Sequence, residues 1–342
     1  MQQKFPFVAD SCTMLKGVFC ELGGSMYFPY LYGRQSELLA VSSMLKDHRS
    51  LDKLFPIIEP VLSKPSGVIK VLEAYQKKDQ RIGLVVNPNK HQLGSVSGLK
   101  SWRDKVLPVA LANDKVMPVV RCETSVTPAL VKKIIAYFGN REIALAYVSA
   151  MIPDAAFVEF ASLEKVRFHI VLDEDKEHRR YELLPQDKKV HIEDGFKRLA
   201  RNADYGSADF FSRQHRTFKR KGLFGFGDYC SIGRGLAVGG GMAAAVAIHA
   251  AYLDERKDIY VEHFVSDDTD RSVGSLAEKF LQAADKLVDA AKARPKEFGS
   301  NFALDLFNDH VVFSHFPGLG KSKELQIAHH LCFTLDVLDG RL

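Results

Sequence analysis

The chain has 342 residues, 46% of them hydrophobic and 26% charged, an ordinary globular composition that excludes a fully disordered or fibrous protein. Its 47 basic and 42 acidic residues leave a net charge of +5, which suits many enzymes and nucleic-acid binders alike. No apolar run reaches the roughly 18 residues that span a bilayer, so a soluble protein without membrane contact is expected. Cys12, Cys20, Cys122, Cys230 and Cys332 form no CxxC pair and no close Cys/His cluster, so they read as the reduced thiols of a cytoplasmic protein.

The first 25 residues look unlike the rest. Gly23-Gly24-Ser25 makes a flexible joint, and Met26 opens a β pattern directly after it. Residues 1–25 therefore read as an extension, a tag or a fused peptide, and 26–342 as a single barrel-like domain. Cys12 and Cys20 are free thiols or a small disulfide loop. Lys4 is too thin a charged region, and the apolar stretch too broken, for a signal peptide.

From Met26 onward, short apolar runs alternate with segments of helical spacing. Strands are predicted near 27–31, 54–59, 82–87, 116–121, 142–148, 167–172, 189–194 and 224–229. Such continuous apolar runs with polar ends are what strands buried on both faces look like. Between them, Ser36 to Leu45 and Pro128 to Phe138 carry apolar residues on one face, the second with proline in its first turn. Alternation of this kind argues for βαβ units and a parallel sheet. Eight strands are the number that closes a TIM-barrel-like (β/α)8 domain. The alternative is an open doubly wound α/β sheet, but no GxGxxG follows the first strand and no P-loop is present.

After residue 235 the rhythm breaks. Gly239-Gly240-Gly241 leads to apolar runs at 245–253 and 259–265 around the polar turn Asp254 to Asp258, which reads as an antiparallel hairpin. Helices are predicted over Ser272–Ala293 and Glu324–Leu338. The region 235–342 is expected to decorate the barrel.

Several segments resemble the bacterial and phage-associated "beta protein" family. They are Tyr27-Phe-Pro-Tyr-Leu-Tyr-Gly-Arg-Gln-Ser-Glu-Leu38, Pro56-Ile-Ile-Glu-Pro60, Asp194-Gly-Phe196, Arg201-Asn-Ala-Asp-Tyr205, Gly225-Phe-Gly-Asp-Tyr229 and His263-Phe-Val-Ser-Asp267. The resemblance spans Met26 to the C-terminus. It implies a barrel-type domain, a phage-defence or mobile-element setting, and in places a nuclease-like neighbour. It brings no settled reaction and no agreed catalytic set.

Chemistry is therefore sought at the strand ends, where barrel active sites lie. Glu59, Asn87, Arg121, Glu123, Asp173, Asp194 and Asp228 all fall at or just past predicted strand ends. Glu59, Asp173, Asp194 and Asp228 are the candidate catalytic carboxylates, able to move protons or hold a divalent metal, Mg or Mn, through oxygen. Arg34, Asn87 and Arg121 are candidate ligand-binding residues. Arg34 either clamps a phosphate or carboxylate or pairs with Glu37. The stretch 213–221, which includes Arg216 and Lys219, carries five basic residues beside Phe210, Phe211 and Phe218. It reads as a phosphate-holding roof, a single-strand stacking surface or a solvated basic loop. His169 and His191 read as structural, and His263 as a better candidate for chemistry. His329-His330 reads as structural or exposed. Asp267-Asp268-Thr269-Asp270 reads as a cap for the following helix. Gly320-Lys321-Ser322 lacks the first glycine of a P-loop. The function expected is binding or processing of a phosphorylated, nucleotide-like ligand, with phosphoester hydrolysis as the reaction if it is an enzyme. The alternative is a non-catalytic partner of a nuclease-like protein or a peptide.

Overall fold

The computed structural model describes residues 26–149, 152–176, 178–236 and 244–342. The readings placed on residues 1–25, Cys12 and Cys20 among them, and on Gly239 to Gly241 lie outside the described residues. Strands β1 (Met26–Tyr27), β2 (Tyr30–Leu31), β3 (Ile57–Ile58), β4 (Ile82–Val85), β5 (Val116–Cys122), β6 (Ile143–Tyr147), β7 (Val166–Val171) and β8 (Lys189–Glu193) alternate with helices α1 (Gln35–Met44), α2 (Ser66–Lys77), α3 (Val96–Ala112), α4 (Pro128–Tyr137) and α5 (Asp154–Ser162). There follow β9 (Ala208–Ser212), α6 (Gln214–Thr217), β10 (Gly225–Asp228), β11 (Ala247–Leu253) and β12 (Ile259–Val265). Helices α7 (Leu276–Ala293), α8 (Pro295–Phe298), α9 (Phe302–Val312) and α10 (Leu319–Leu338) complete the chain. Among the described residues, no helix is long and apolar enough to cross a membrane.

Nine of these strands form one parallel, curled sheet in the order β1-β10-β8-β7-β6-β5-β4-β3-β2. The order advances steadily around the sheet. It lacks the reversal that defines a doubly wound fold, so the open doubly wound alternative is set aside. The two outer strands of this order, β1 and β2, are consecutive in the chain. Phe28 and Pro29 part them: Phe28 N donates to Phe226 O on one side, and Pro29 O accepts from Ile57 N on the other, both at 2.8 Å. Pro29 has no N–H to add to a ladder, which is why one extended segment counts as two short strands. β10 lies hard against it, and a Cβ at Gly227 would run into the carbonyl of Phe28.

Alternate strand residues face opposite ways, and two cores result. Met26, Phe28, Tyr30, Tyr32, Ile57, Val85, Val119, Ala144, Phe168 and Ile192 fill the concave side of the sheet. There Phe28, Phe55 and Phe168 meet ring to ring at centroid distances of 5.1–5.5 Å. Tyr27, Leu31, Ile58, Leu84, Val120, Tyr147, Val171 and Phe226 face outward, against the helices.

Among the described residues, the crossover from β7 to β8 holds only short 3-10 turns. That from β8 to β10 holds β9, which joins the hairpin in a second antiparallel sheet of order β11-β12-β9. α10 is buried along most of its length, as a helix packed on all sides must be. It runs between α1 and the small sheet, fastened by Arg49, which gives two hydrogen bonds of 2.8–2.9 Å to Asp336.

Candidate functional site at the strand ends

Because the nine strands are parallel, the residues that follow them emerge at one end of the sheet. Side-chain parity then divides them. Glu59, Asn87, Arg121 and Asp194 follow the concave-facing Ile57, Val85, Val119 and Ile192 by two residues, and they turn inward. Asp173 and Asp228 follow the outward-facing Val171 and Phe226 by two, and they turn away.

The inward group forms one connected lattice. Glu59 is completely buried. Its Oε2 accepts from the Tyr30 hydroxyl at 2.8 Å and lies 3.4 Å from Lys90 Nζ. Its Oε1 accepts from Arg121. Arg121 reaches Glu123 with its other terminal nitrogen at 2.8 Å, while its Nε is buried without a partner among the described residues. Asn87 braces the strand end, accepting from Arg121 N at 2.8 Å and donating to Arg121 O at 2.9 Å. Burial opposes the charge on Arg121, yet Tyr30, Glu59 and Glu123 hold its pKa above the ordinary value. Burial lowers Lys90 and raises Tyr30, the latter helped by the Glu59 charge. Lys90 also donates to the Tyr32 hydroxyl at 3.1 Å, and that hydroxyl donates to Arg234 O at 2.6 Å.

Beyond Tyr32 and Tyr229 the lattice opens into a cavity of about 520 Å³. Its walls carry Glu174, Asp175, Lys176, Glu193, Asp194 and Arg234. Asp194 Oδ2 accepts from Arg234 N at 3.0 Å, and Arg234 Nη1 lies 3.0 Å from Glu174. Burial lowers the pKa of Lys176. Two cations and four carboxylates around open space can hold an anion directly, or a divalent cation that bridges to one.

The remaining expected residues stand elsewhere. Arg34 is bound to the buried Glu37, which also caps α1 by accepting from Arg34 N at 2.8 Å. The Asp173 carboxylate accepts from the outer-layer Tyr181 at 2.9 Å. Arg216 and Lys219 lie far along the return from β8. That return must reach the amino end of β10 for the two strands to be parallel, so the basic stretch does not roof the rim. It borders the opposite end, where Phe224 N bonds Lys189 O at the start of β8. Arg216 is paired there with Asp258 in the hairpin turn.

Asp228 belongs to a different cluster. Its Oδ1 accepts from the Tyr27 hydroxyl and from Cys230 N, each at 2.7 Å, and lies 3.3 Å from His330 Nε2. Donor atoms of Asp228, Cys230 and His330 all fall within 4.8 Å of one another, and the three residues are buried. Among the described residues neither ring nitrogen of His330 makes a well-formed hydrogen bond, the Asp228 contact included, an expensive state for buried polar atoms unless something else satisfies them. These three residues could hold a metal ion.

Tyr30, Tyr32, Lys90, Tyr229, Arg234, Cys230 and His330 were absent from the sequence-based set. Parity would have found the tyrosines: Tyr30 and Tyr32 continue the inward series begun by Met26 and Phe28. The distance of 100 residues between Cys230 and His330 hides their meeting. Comparison of the chain with protein-family models, curated proteins and solved structures finds no match.

Proposed function

We propose that the sheet closes through the split first strand into a (β/α)8 barrel, and that its carboxyl-end rim binds a phosphorylated, nucleotide-like small molecule. Closure is supported by the hydrogen bonds that the 26–31 segment makes to both β10 and the β3 strand. The ligand reading rests on one observation, the rim cavity of about 520 Å³ with Lys176 and Arg234 facing four carboxylates. That volume suits one small ligand. Lys176 and Arg234 would take its phosphate oxygens. Glu174, Asp175, Glu193 and Asp194 offer the hard oxygen donors that Mg or Mn prefers. Carboxylates beside a held phosphate can activate water for attack at phosphorus, the chemistry of a phosphoester hydrolase. The Asp228-Cys230-His330 set, with a thiol and an imidazole, suits zinc better than Mg or Mn. The resemblance to the "beta protein" family, carried by residues such as Gly33-Arg34-Gln35 and Gly225-Phe226-Gly227-Asp228, supports a setting in phage defence or a mobile element.

Thermal unfolding against nucleoside and sugar phosphates, with and without Mg, tests the reading. One phosphorylated class should raise the unfolding temperature, and Arg234→Ala or Lys176→Ala should remove that rise. Asp194→Asn should keep binding and lose phosphate release. The idea fails if no phosphorylated compound stabilises the folded wild-type chain.

A second reading, a non-catalytic partner that seats an amphipathic helix of a nuclease-like protein, is favoured by an apolar groove between α3 and α4. Leu99, Leu107, Leu130, Ile134, Tyr137 and Phe138 line it, with Leu130 44% and Tyr137 52% exposed. It predicts a stable complex on size exclusion that Leu130→Asp disrupts, and no turnover.

A further inference from the structure

Away from the rim, a cavity of about 180 Å³ lies between β11 and the first turn of α10. Asn202, Ala247, His249, Ser322, Lys323 and Gln326 line it. It shares no lining residue with the rim cavity.

A chain of hydrogen bonds sets the protonation of its histidine. Asp209 Oδ2 lies 3.2 Å from His263 Nε2, and His263 Nδ1 lies 2.8 Å from His249 Nδ1. A carboxylate only accepts, so His263 carries its proton on Nε2 and its Nδ1 must accept. His249 therefore carries its proton on Nδ1, and its Nε2 is a bare lone pair. Burial keeps both imidazoles neutral, with pKa values pushed below the ordinary one. No other residue bonds His249 Nε2 among the described residues. This tautomer follows from the hydrogen-bond network.

The opposite wall is cationic. Lys323 has no hydrogen-bond or ion-pair partner among the described residues. Burial, with the nearby charges of Arg34 and Arg198 outweighing that of Glu37, brings its pKa down to about 8. Asn202 and Gln326 already use their amides, on Ala245 O and on Ser322 Oγ and His249 N. The first turn of α10 has no acidic residue and no side-chain cap, so its dipole adds to the attraction for an anion.

A ligand here has to offer an anionic oxygen to Lys323 and an O–H to His249, in a space smaller than the roughly 300–1,000 Å³ of drug-sized sites. We propose that this cavity is a binding site for inorganic phosphate in a form that keeps a proton, with Lys323 as the donor and His249 Nε2 as the acceptor of the phosphate O–H. Sulfate has the same shape and no proton at neutral pH. A phosphomonoester has a second pKa of about 6 and has largely lost its proton there, while hydrogen phosphate keeps one. The site thus distinguishes oxyanions by the proton they carry. It stands apart from the rim reading.

Calorimetric titration of the full chain in neutral buffer tests this with inorganic phosphate, sulfate and methyl phosphate. Phosphate should bind, with sulfate and methyl phosphate at least tenfold weaker. In an Arg234→Ala background, Lys323→Met should abolish phosphate binding and Lys323→Arg should retain it. Asp209→Asn should narrow the gap between phosphate and sulfate, because His249 is then free to donate. The rim variant Arg234→Ala should leave the preference for phosphate over sulfate at this second site unchanged. Absence of phosphate binding by the wild-type chain, or equal binding of phosphate and sulfate, overturns the proposal without need of any variant. So does a folded Lys323→Met protein that binds like wild type.

Discussion

Glu59 carries a buried negative charge that Tyr30, Lys90 and Arg121 surround. Removing one partner of such a pair leaves the other uncompensated, which costs about 3–5 kcal/mol. Arg121→Met should therefore lower the unfolding free energy measured by denaturant titration by that amount, and adding Glu59→Gln should recover part of it. A loss below about 1 kcal/mol would show that Lys90 and Tyr30 alone satisfy the carboxylate. The same reasoning applies to His330, whose two buried nitrogens have no hydrogen-bond partner among the described residues. If one of them ligates zinc together with Asp228 and Cys230, elemental analysis should find about one zinc per chain. A chelator should then lower the unfolding temperature, and Cys230→Ser should reduce the zinc content. A metal-free protein of unchanged stability would leave Asp228 and His330 as a plain buried polar pair.

At the scale of elements, strand position is legible from the apolar runs, while the direction of the residues beyond each strand depends on parity. Each of the eight apolar runs, from 27–31 to 224–229, contains strand, because continuous Val, Ile and Leu bounded by polar residues admits few other conformations in an α/β protein. Without parity, the strand-end carboxylates look like a single ring. Counting by twos from Phe226 would have sent Asp228 outward to Tyr27 and His330, and counting from Ile57 would have sent Glu59 inward. β9 escaped notice because Ala208–Ser212 runs straight into Arg213 and the basic stretch, so its phenylalanines read as part of a charged loop. α10 begins five residues before the predicted Glu324, since Gly318 and Gly320 look like loop while packing on α1 overrides their low propensity. The Cys230–His330 meeting depends on where α10 docks, which no local pattern encodes. The seam between β10 and the first strand supplies an element-level prediction. Gly227→Ala pushes a methyl group against the Phe28 carbonyl, and overpacking of this kind costs about 1–3 kcal/mol. Denaturant unfolding should show that loss, with faster proteolysis near residues 26–31. If the variant is as stable as wild type, β10 and the first strand are not tightly sealed and the closed barrel loses its support.

For the molecule as a whole, the number of neutral buried histidines makes acid the weak side of its stability. Burial pushes His169 and His191 down to about 3, assisted by Lys188 for the first and Lys189 for the second. Burial also takes His215 down to about 4. In the unfolded chain these groups titrate near 6.5. Their folded values lie below that, so the unfolded state binds more protons as pH falls from about 6.5 toward 3–4. The stability they allow is complete above about 6.5 and is lost on the way down, at about 2 kcal/mol per such histidine by pH 5. Equilibrium unfolding followed from neutral pH to about 4.5 should show a steep decline, before most carboxylates are protonated. His191 gives the cleanest single test, because its Nε2 is already buried without a partner among the described residues and a phenyl ring can take its place without orphaning a donor. His191→Phe should flatten the slope of stability against pH by about one proton between pH 6.5 and 4 and leave neutral stability equal or higher. An unchanged slope would mean that His191 is protonated in the folded protein, and that the outer layer around β8 admits water.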